Sequence, residues 1–194
     1  MLHYLDAKLP TPQTTRRTFL KLSAGALGGL LIGTVIPQRG LANTAPGALA
    51  TPFVHITPDN RVIVISKHLD KGQGTATGLA TLVAEELDAA ADQVEVEFAP
   101  SNPELYKNFL FGLQGTGGST AMANSFDQYR QAGAVVRTMI VAAAASKWGV
   151  PQVDIAIANG VVTGGGNFAT IGELSALAAA QEPPAEVTLK SPKD

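Results

Sequence analysis

Apolar and polar positions alternate along the chain in a pattern that predicts a β-hairpin. β-branched residues dominate residues 53–57 and 61–65, and the Pro-Asp-Asn sequence at 58–60 between them has the composition of a turn. The second run is apolar at successive positions from Val62 to Ile65. Because a strand that is apolar on both faces is usually covered on both, we expect this strand to lie inside a sheet.

A helix and a further strand follow the hairpin. Over residues 75–87 the apolar positions recur on one side of a predicted helix and the acidic positions face largely away. The apolar positions are Leu79, Leu82, Val83 and Leu87, and the acidic ones are Glu85, Glu86 and Asp88. Residues 94–98 alternate apolar and acidic, as in a strand with one solvated face. A loop over residues 99–118 comes next, and loops of this length tend to be functional.

The longest helical pattern covers residues 119–148. Its periodic positions are Met122, Phe126, Tyr129, Gly133, Val136, Ile140 and Ala143, and the stop signals are Gly149 and Pro151. The alanine-rich residues 141–145 predict close packing against a neighbouring element.

A second, shorter unit follows the long helix. Residues 155–158 and 161–163 predict a hairpin around an Asn-Gly turn. Thr170 and Glu173 predict a capping box for a helix through Ala180, and residues 187–189 fit one more strand. The fold class is therefore α/β (α+β), with mixed small sheets packed on helices, divided into residues 53–150 and a β-β-α continuation over 151–194.

The first 42 residues are organised as an export signal. Arg16 and Arg17 precede Phe-Leu-Lys, and an uncharged apolar stretch over residues 22–36 is followed by small residues up to Ala42. This order resembles the twin-arginine signal, so we expect export to the periplasm, with membrane contact only during export. The alternative is a membrane-spanning helix, but the apolar stretch is shorter than the ~20 residues of a span. Residues 43–52 predict a linker.

Composition excludes several classes of function. The chain has 194 residues, no cysteine and a formal net charge of -2. Disulfides, a thiol nucleophile and thiolate-bound zinc or iron–sulfur clusters are therefore excluded within these residues. The charge provides no electrostatic footprint for nucleic acid, which we do not expect as a partner.

Two glycine-rich turns, each at the start of a predicted helix, hold the candidate binding residues. The first turn contributes Gly72, Gln73, Gly74 and Thr77, and the second contributes Gly117, Gly118, Ser119 and Thr120. Glycine lets backbone N–H groups converge on a ligand and a helix N-terminus adds positive charge, so two such turns facing one crevice can hold a diphosphate. Neither is a Walker loop or a GxGxxG fingerprint.

The residues supply no catalytic constellation, and no catalytic or metal-binding residue is assigned. His68 is the only histidine well placed near the turns, whereas His55 lies in a predicted strand and is interpreted as a packed or edge residue. No two histidines have metal-ligand spacing, and no G-x-S-x-G elbow is present. We interpret Glu85 and Glu86 as solvated carboxylates rather than as a general base.

Several motifs in a fixed order carry a resemblance. They are the first turn, the helix end at 82–88, the strand 94–98 with Ala99-Pro100, the Thr-Gly-Gly-Ser-Thr turn at 116–120 and the helix over 133–150. Together they resemble the molybdopterin-binding large subunit of the xanthine dehydrogenase family, within it the isoquinoline 1-oxidoreductase beta-subunit type of aldehyde and N-heterocycle dehydrogenases. The resemblance extends from the twin-arginine leader to the last residues, 189–194.

The resemblance implies a ligand and partners. In that family the Gly-Gln-Gly turn and the serine-containing turn both contact a molybdenum pterin dinucleotide, which assigns Gln73 with Gly72 and Gly74, supported by Thr77, and residues 117–120. It also implies the molybdopterin cytosine dinucleotide form, oxidation of a small aldehyde or N-heterocyclic substrate with water as oxygen source, and an iron–sulfur small subunit with [2Fe–2S] clusters.

One departure from the family limits what the chain can do alone. The family's large subunit is several times longer, and its general-base glutamate lies in a far C-terminal part that is not in this sequence. We therefore expect the N-terminal part of such a subunit, inactive without the remainder of the large subunit. Two alternatives stay open: a cofactor-free exported binding or scaffold fragment, and a non-catalytic nucleotide-phosphate binder.

Overall fold

The computed structural model describes residues 49–191. The predicted signal over residues 1–42, residues 43–48 of the predicted linker and the last three residues lie outside the described part. Within the described part, no helix has the length and apolar character needed to cross a membrane.

A four-stranded sheet forms the first half of the fold. Its strands run in the order β1 (Leu49–Ala50), β2 (Val54–Ile56), β3 (Val62–Ser66) and β4 (Val94–Phe98). The first three are antiparallel neighbours, and β3 and β4 are parallel, with Val62 opposite Val94. The hairpin prediction is confirmed, and all five residues of β3 are buried between two neighbours, as its apolar run predicts. β4 is an edge strand that is exposed over most of its length.

Helix α1 (Thr75–Leu87) connects the two parallel strands and has the predicted bounds. Leu79, Val83 and Leu87 are buried against the core, as the periodicity predicts. The prediction for Glu86 is wrong, because this carboxylate is 2% exposed. It faces helix α3 (Ala121–Trp148), which α1 contacts along its length.

The predicted long loop has structure of its own. It contains the short helix α2 (Pro103–Tyr106) and an isolated bridge between Asn108 and Leu113. The buried Tyr106 hydroxyl donates to the Pro52 carbonyl at 2.9 Å, and its ring packs edge-on against Phe53. The chain between β4 and α3 is therefore fastened to the core.

Helix α3 is the central element, as its pattern predicts. Tyr129, Val136 and Ile140 are buried, and so are Ala143, Ala144 and Ala145 of the alanine-rich stretch that predicted close packing. Phe126 departs from the prediction because its side chain is 44% exposed. Gly149 adopts φ 66° and ends the helix in the left-handed conformation that glycine allows.

The C-terminal unit contains a strand, Asn167–Thr170, that the pattern does not predict, and it lacks the strand predicted over residues 187–189. β5 (Ala156–Ala158), β6 (Val161–Gly164) and β7 (Asn167–Thr170) form a three-stranded antiparallel sheet. Helix α4 (Ile171–Ala179) then begins with the predicted capping box of Thr170 and Glu173. Residues 187–189 are not a strand; they lie beside α3, where Arg137 donates to the Thr188 carbonyl at 2.8 Å.

Candidate functional site

The two glycine turns lie at the same end of the α1–α3 pair. Gly78, in the first turn of α1, is so close to Met122 at the start of α3 that a Cβ there would lie 2.9 Å from the Met122 Cε. The structure therefore brings together two segments that are about forty positions apart in the sequence.

Thr116, at the start of the second turn, is bonded to the segment that precedes the first turn. Its Oγ1 accepts the backbone N–H of Leu69 at 2.9 Å and lies 3.3 Å from the Nδ1 of His68. The other ring nitrogen of His68 lies 3.0 Å from the Ser125 hydroxyl on α3. Because these bonds link the segment before the first turn to the second turn, Thr116 and His68 fix the relative position of the two turns.

His68 lies beside the two turns, as the sequence predicts, but its ring is buried and already bonded within the protein. Its side chain is 1% exposed, and both ring nitrogens have partners in the protein. Burial, and secondarily the neighbouring Lys67, lower the pKa of His68 below its ordinary value, so its ring is neutral at pH 7. His55 is buried in β2, in agreement with its interpretation as a packed residue.

The first turn is closed by its own side chains. Asp70 accepts hydrogen bonds from the backbone N–H groups of Gly72 at 2.8 Å, Gly74 at 3.3 Å and Ala76 at 2.8 Å. Gln73 folds back, donating to the Leu69 carbonyl at 2.7 Å while its carbonyl accepts the N–H of Lys71 at 2.6 Å. The backbone N–H groups that the sequence predicted to bind a ligand are thus already bonded to Asp70, a residue that the sequence pattern did not indicate.

Thr77 faces away from the second turn. It lines a groove of about 510 Å³ between α1 and β4, together with small residues such as Ala80 and Ala84 and with Val94 and Val96 of the strand. The other first-turn candidates are exposed at the mouth of the turn. The structure therefore does not place Thr77 with Gln73 at the junction of the two turns.

The second turn is more open. Gly117, Gly118 and Ser119 are exposed, and Gly118 and Ser119 both adopt positive φ, 58° and 54°. The hydrogen bonds of the described part include no acceptor for the backbone N–H groups of these three residues. The hydroxyl of Thr120, by contrast, donates to the Gly117 carbonyl at 2.9 Å and accepts from Asn108 at 2.8 Å, so it holds the turn together.

Lys67 is a buried cation beside the second turn that the sequence pattern gave no reason to select. Its Nζ donates to Gln128 Oε1 at 2.6 Å, Asn124 Oδ1 at 3.2 Å and the Lys107 carbonyl at 3.3 Å, and it lies 4.5 Å from the centre of the Phe109 ring. Burial lowers the pKa of Lys67 to about 8. All three acceptors are uncharged, so the ammonium is solvated by dipoles and a ring face.

Glu86 is a structural carboxylate. It accepts from the Nε of Arg130 at 2.8 Å and from the backbone N–H of Lys190 at 3.1 Å, and Arg137 lies 3.9 Å away. Glu85, one position earlier, is exposed as predicted. No group of three potential metal-ligating side chains occurs in the part of the chain that the structure describes.

Comparison with known proteins assigns the family of this fold. Residues 22–192 match the model of a molybdopterin cofactor-binding domain, which includes both turns and the helices that they precede. The chain belongs to this family. The resemblance drawn from the ordered motifs is confirmed.

Curated relatives of this molybdopterin-binding domain are oxidoreductase chains. One is the beta subunit of isoquinoline 1-oxidoreductase from Brevundimonas diminuta, 34% identical over 157 residues, which cover 78% of this chain and 20% of that protein. Another is a membrane-bound aldehyde dehydrogenase (pyrroloquinoline-quinone) of Gluconacetobacter polyoxogenes, 30% identical over 88% of this chain and 22% of that one. The chain therefore spans about a fifth of the length of these relatives.

Solved structures share the fold. Quinoline 2-oxidoreductase from Pseudomonas putida 86 superposes with a TM-score of 0.50 and 24% identity over 70% of this chain and 17% of that one. The CO dehydrogenase of Oligotropha carboxidovorans superposes with a TM-score of 0.51 and 23% identity, over 66% of this chain and 16% of that one. At these identities the similarity concerns the fold, and it confirms the predicted class of mixed helices and small sheets.

The two turns fit a phosphate-bearing pterin cofactor to different degrees. The second turn fits, because Gly117, Gly118 and Ser119 present exposed amides at a helix N-terminus. The backbone of the first turn does not fit a phosphate, because Asp70 already accepts from its N–H groups. Both N–H groups of the Gln73 amide are already used within the turn, so they can be donated to a ligand only if those bonds are given up.

Proposed function

We propose that this chain is part of the large subunit of an exported molybdenum hydroxylase, in which it contributes contacts to the molybdenum–molybdopterin cytosine dinucleotide. The observation that carries the proposal is the bond network of Thr116 and His68, which joins the two turns in a chain of the molybdopterin-binding family. Bound there, the cofactor would supply redox chemistry at molybdenum. The chain's own part is to grip it with the amides of residues 117–119 and the Gln73 side chain.

Exposed apolar side chains around the two turns support the proposal that further segments of the large subunit pack against this region. Leu69, Leu110 and Leu113 are 63%, 69% and 56% exposed, and the Phe111 ring lies against the second turn, where a Cβ on Gly118 would be 3.4 Å from its Cζ. An apolar rim of this kind beside a site is typical of a surface that another segment covers. We propose that the remainder of the large subunit covers it and completes the cofactor site, so that the chain alone is inactive.

Substrate and partner are inferred from the relatives. Two of them are named as an isoquinoline oxidoreductase and an aldehyde dehydrogenase, which supports a small aldehyde or N-heteroaromatic compound as substrate, with water as oxygen source. The isoquinoline relative is named as a beta subunit, which is one component of a larger assembly, and this supports association with a second, different chain. For this partner we propose an iron–sulfur small subunit with [2Fe–2S] clusters, as the family resemblance implies; the present chain has no cysteine to ligate such a cluster itself.

Metal and nucleotide content test the proposal. The complete large subunit that contains this segment is purified from a host that makes molybdopterin, and molybdenum and acid-released CMP are measured together. We expect both in equal amounts, and a clear loss of both in Gln73→Ala, with no loss in Gln152→Ala, an exposed glutamine far from the turns. A large subunit without molybdenum would instead favour the cofactor-free scaffold.

Export is tested separately. The twin-arginine interpretation predicts that replacing Arg16 and Arg17 together by lysine leaves the protein in the cytoplasm, because that pathway recognises the paired arginines. Replacing Lys8 by arginine, a charge-conserving change outside the motif, should leave export unchanged. Fractionation followed by N-terminal sequencing measures both results, and unchanged export of the lysine variant would contradict the proposal.

A further inference from the structure

The start of α1 contains a carboxylate where a glycine-rich turn would otherwise receive an external anion. Asp70 Oδ1 accepts from the N–H groups of Gly72 and Gly74, and Oδ2 accepts from that of Ala76. Gly74 is the N-cap of the helix and has no side chain to cap it. Asp70 therefore does from four positions upstream what an N-cap residue does locally.

The conformation of the turn explains why its amides converge on Asp70. Gly72 and Gly74 adopt φ 99° and 79°, a region that only glycine enters without strain. A Cβ at either position would meet nothing within 4 Å, so the positive φ and not close packing demands glycine there. The result is a concavity of N–H groups that suits one anion.

Asp70 is ionised in this setting. Backbone donors, that of Ala76 foremost and then that of Gly72, lower the pKa of the Asp70 carboxyl below its ordinary value. A carboxylate at the positive end of a helix is stabilised for the same reason that a phosphate is. The two anions would therefore compete for the same donors, and a phosphate that entered without displacing Asp70 would face its negative charge.

We infer that Asp70 is the resident anion of the first turn and determines its ligand specificity by rejecting phosphate and other small anions from the N-terminus of α1. Asp70 would exclude small anions from the first turn whether or not the chain binds a molybdenum cofactor. It also separates the two turns chemically, because the second turn has no acidic residue between Thr116 and Thr120. Exclusion of phosphate from the first turn disfavours the alternative function in which both turns bind the phosphates of a nucleotide.

Phosphate titration of the ¹⁵N-labelled chain tests the inference, with inorganic phosphate followed by pyrophosphate as the probes. In the wild type, the amide signals of Gly72, Gly74 and Ala76 should not move. In Asp70→Asn and Asp70→Ser, both neutral, the same signals should shift, with an affinity at least about tenfold higher than in the wild type. Asp92→Asn is the matched control: it removes one negative charge from an exposed 3₁₀ turn and should behave as the wild type does.

Two outcomes would overturn the inference. One is a phosphate-dependent shift of the three amides in the wild type as large as in the neutral variants. The other is a well-folded neutral variant that still fails to respond. If neither variant folds, the wild-type titration decides alone, because a silent turn supports exclusion and a responding turn refutes it. No cofactor takes part, so the result is independent of the molybdenum measurement above.

Discussion

At the scale of single residues, the polar groups that organise this site are buried and come from distant segments. Lys67 is held by Asn124 and Gln128 of α3, and Glu86 by Arg130 of the same helix. Local patterns place Lys67 after a strand and Glu86 on a polar helix face, so they predict solvation for both. The hydrogen-bond partners that compensate for burial of these charges lie on α3, so they are seen only when α3 is packed against Lys67 and Glu86.

Lys67 should make stability depend on pH in the alkaline range. Its pKa is about 8 in the folded chain, below the ordinary value of 10.5, so between these values the unfolded state binds more protons. The free energy of unfolding should therefore rise with pH across this window, by at most about 1.4 kcal/mol per pH unit. Urea denaturation at pH 8 and 9.5 measures the change. The Lys67→Met variant should lack this rise in unfolding free energy. An equal rise in that variant would contradict the assignment of the pH dependence to Lys67.

Glu86 should be required for stability, whereas its neighbour should not. Glu86→Gln removes the charge that partners Arg130 in a largely buried position, so we expect a loss of about 2–3 kcal/mol. Glu85→Gln, one residue away and exposed, should change stability by less than about 0.5 kcal/mol. Denaturant unfolding of the two variants side by side gives the comparison, and equal effects would mean that the carboxylate network contributes nothing.

At the scale of elements, the position of the site depends on how closely α1 and α3 approach. Gly133 lies at their contact, where a Cβ would be 2.9 Å from both the Val83 carbonyl oxygen and the Glu86 Cβ. The sequence marked Gly133 as a periodic position of the helix, but the need for glycine comes from the backbone of the other helix. Close approach at this point is what brings the two N-termini, and their turns, to the same end.

Gly133→Ala should force the two helices apart. The added methyl group meets fixed backbone, so we expect a net loss of about 1–3 kcal/mol despite the better helix propensity of alanine. Gly78→Ala is the control between the same helices, because its Cβ would meet only the flexible end of the Met122 side chain. Thermal unfolding of both variants checks the difference, which should disappear if the contact at Gly133 is loose.

At the scale of the whole molecule, the C-terminal unit is tied to the first sheet through Asn60. The Asn60 side chain accepts the N–H of Gly172 at the start of α4 at 3.0 Å. The N–H of Gly160, in the turn between β5 and β6, donates to the Asp88 carbonyl at 2.7 Å. These bonds predict that residues 151–191 unfold together with the rest.

Gly172→Ala tests this coupling. A Cβ at Gly172 would lie 2.6 Å from the Asn60 backbone nitrogen, so the junction must open. Hydrogen exchange should then accelerate together at Val162 in β6 and at Val64 in β3, as in one cooperative unit. Faster exchange confined to Val162 would instead mean that the C-terminal unit is an independent domain.

The sequence by itself determined the elements and the family. Hydrophobic period, capping residues and turn composition are local, so they predicted the first hairpin, α1, β4, α3 and the capped α4, and the ordered motifs indicated the molybdopterin-binding family. β7 was missed because the glycines at 164–166 break its pattern. Residues 187–189 are apolar enough for a strand, but they find side chains of α3 instead of a neighbouring strand.

Only the tertiary structure decided what the site can accept. Both glycine turns have the composition of an anion site. The sequence could not distinguish them, because composition does not show whether a backbone N–H already has a hydrogen-bond acceptor within the protein. Packing joined the turns through Thr116 and His68, and the fold of one loop placed Asp70 on the amides of the first turn only. Hydrogen-bond satisfaction depends on where every neighbouring group ends in space, and that is a property of the folded chain.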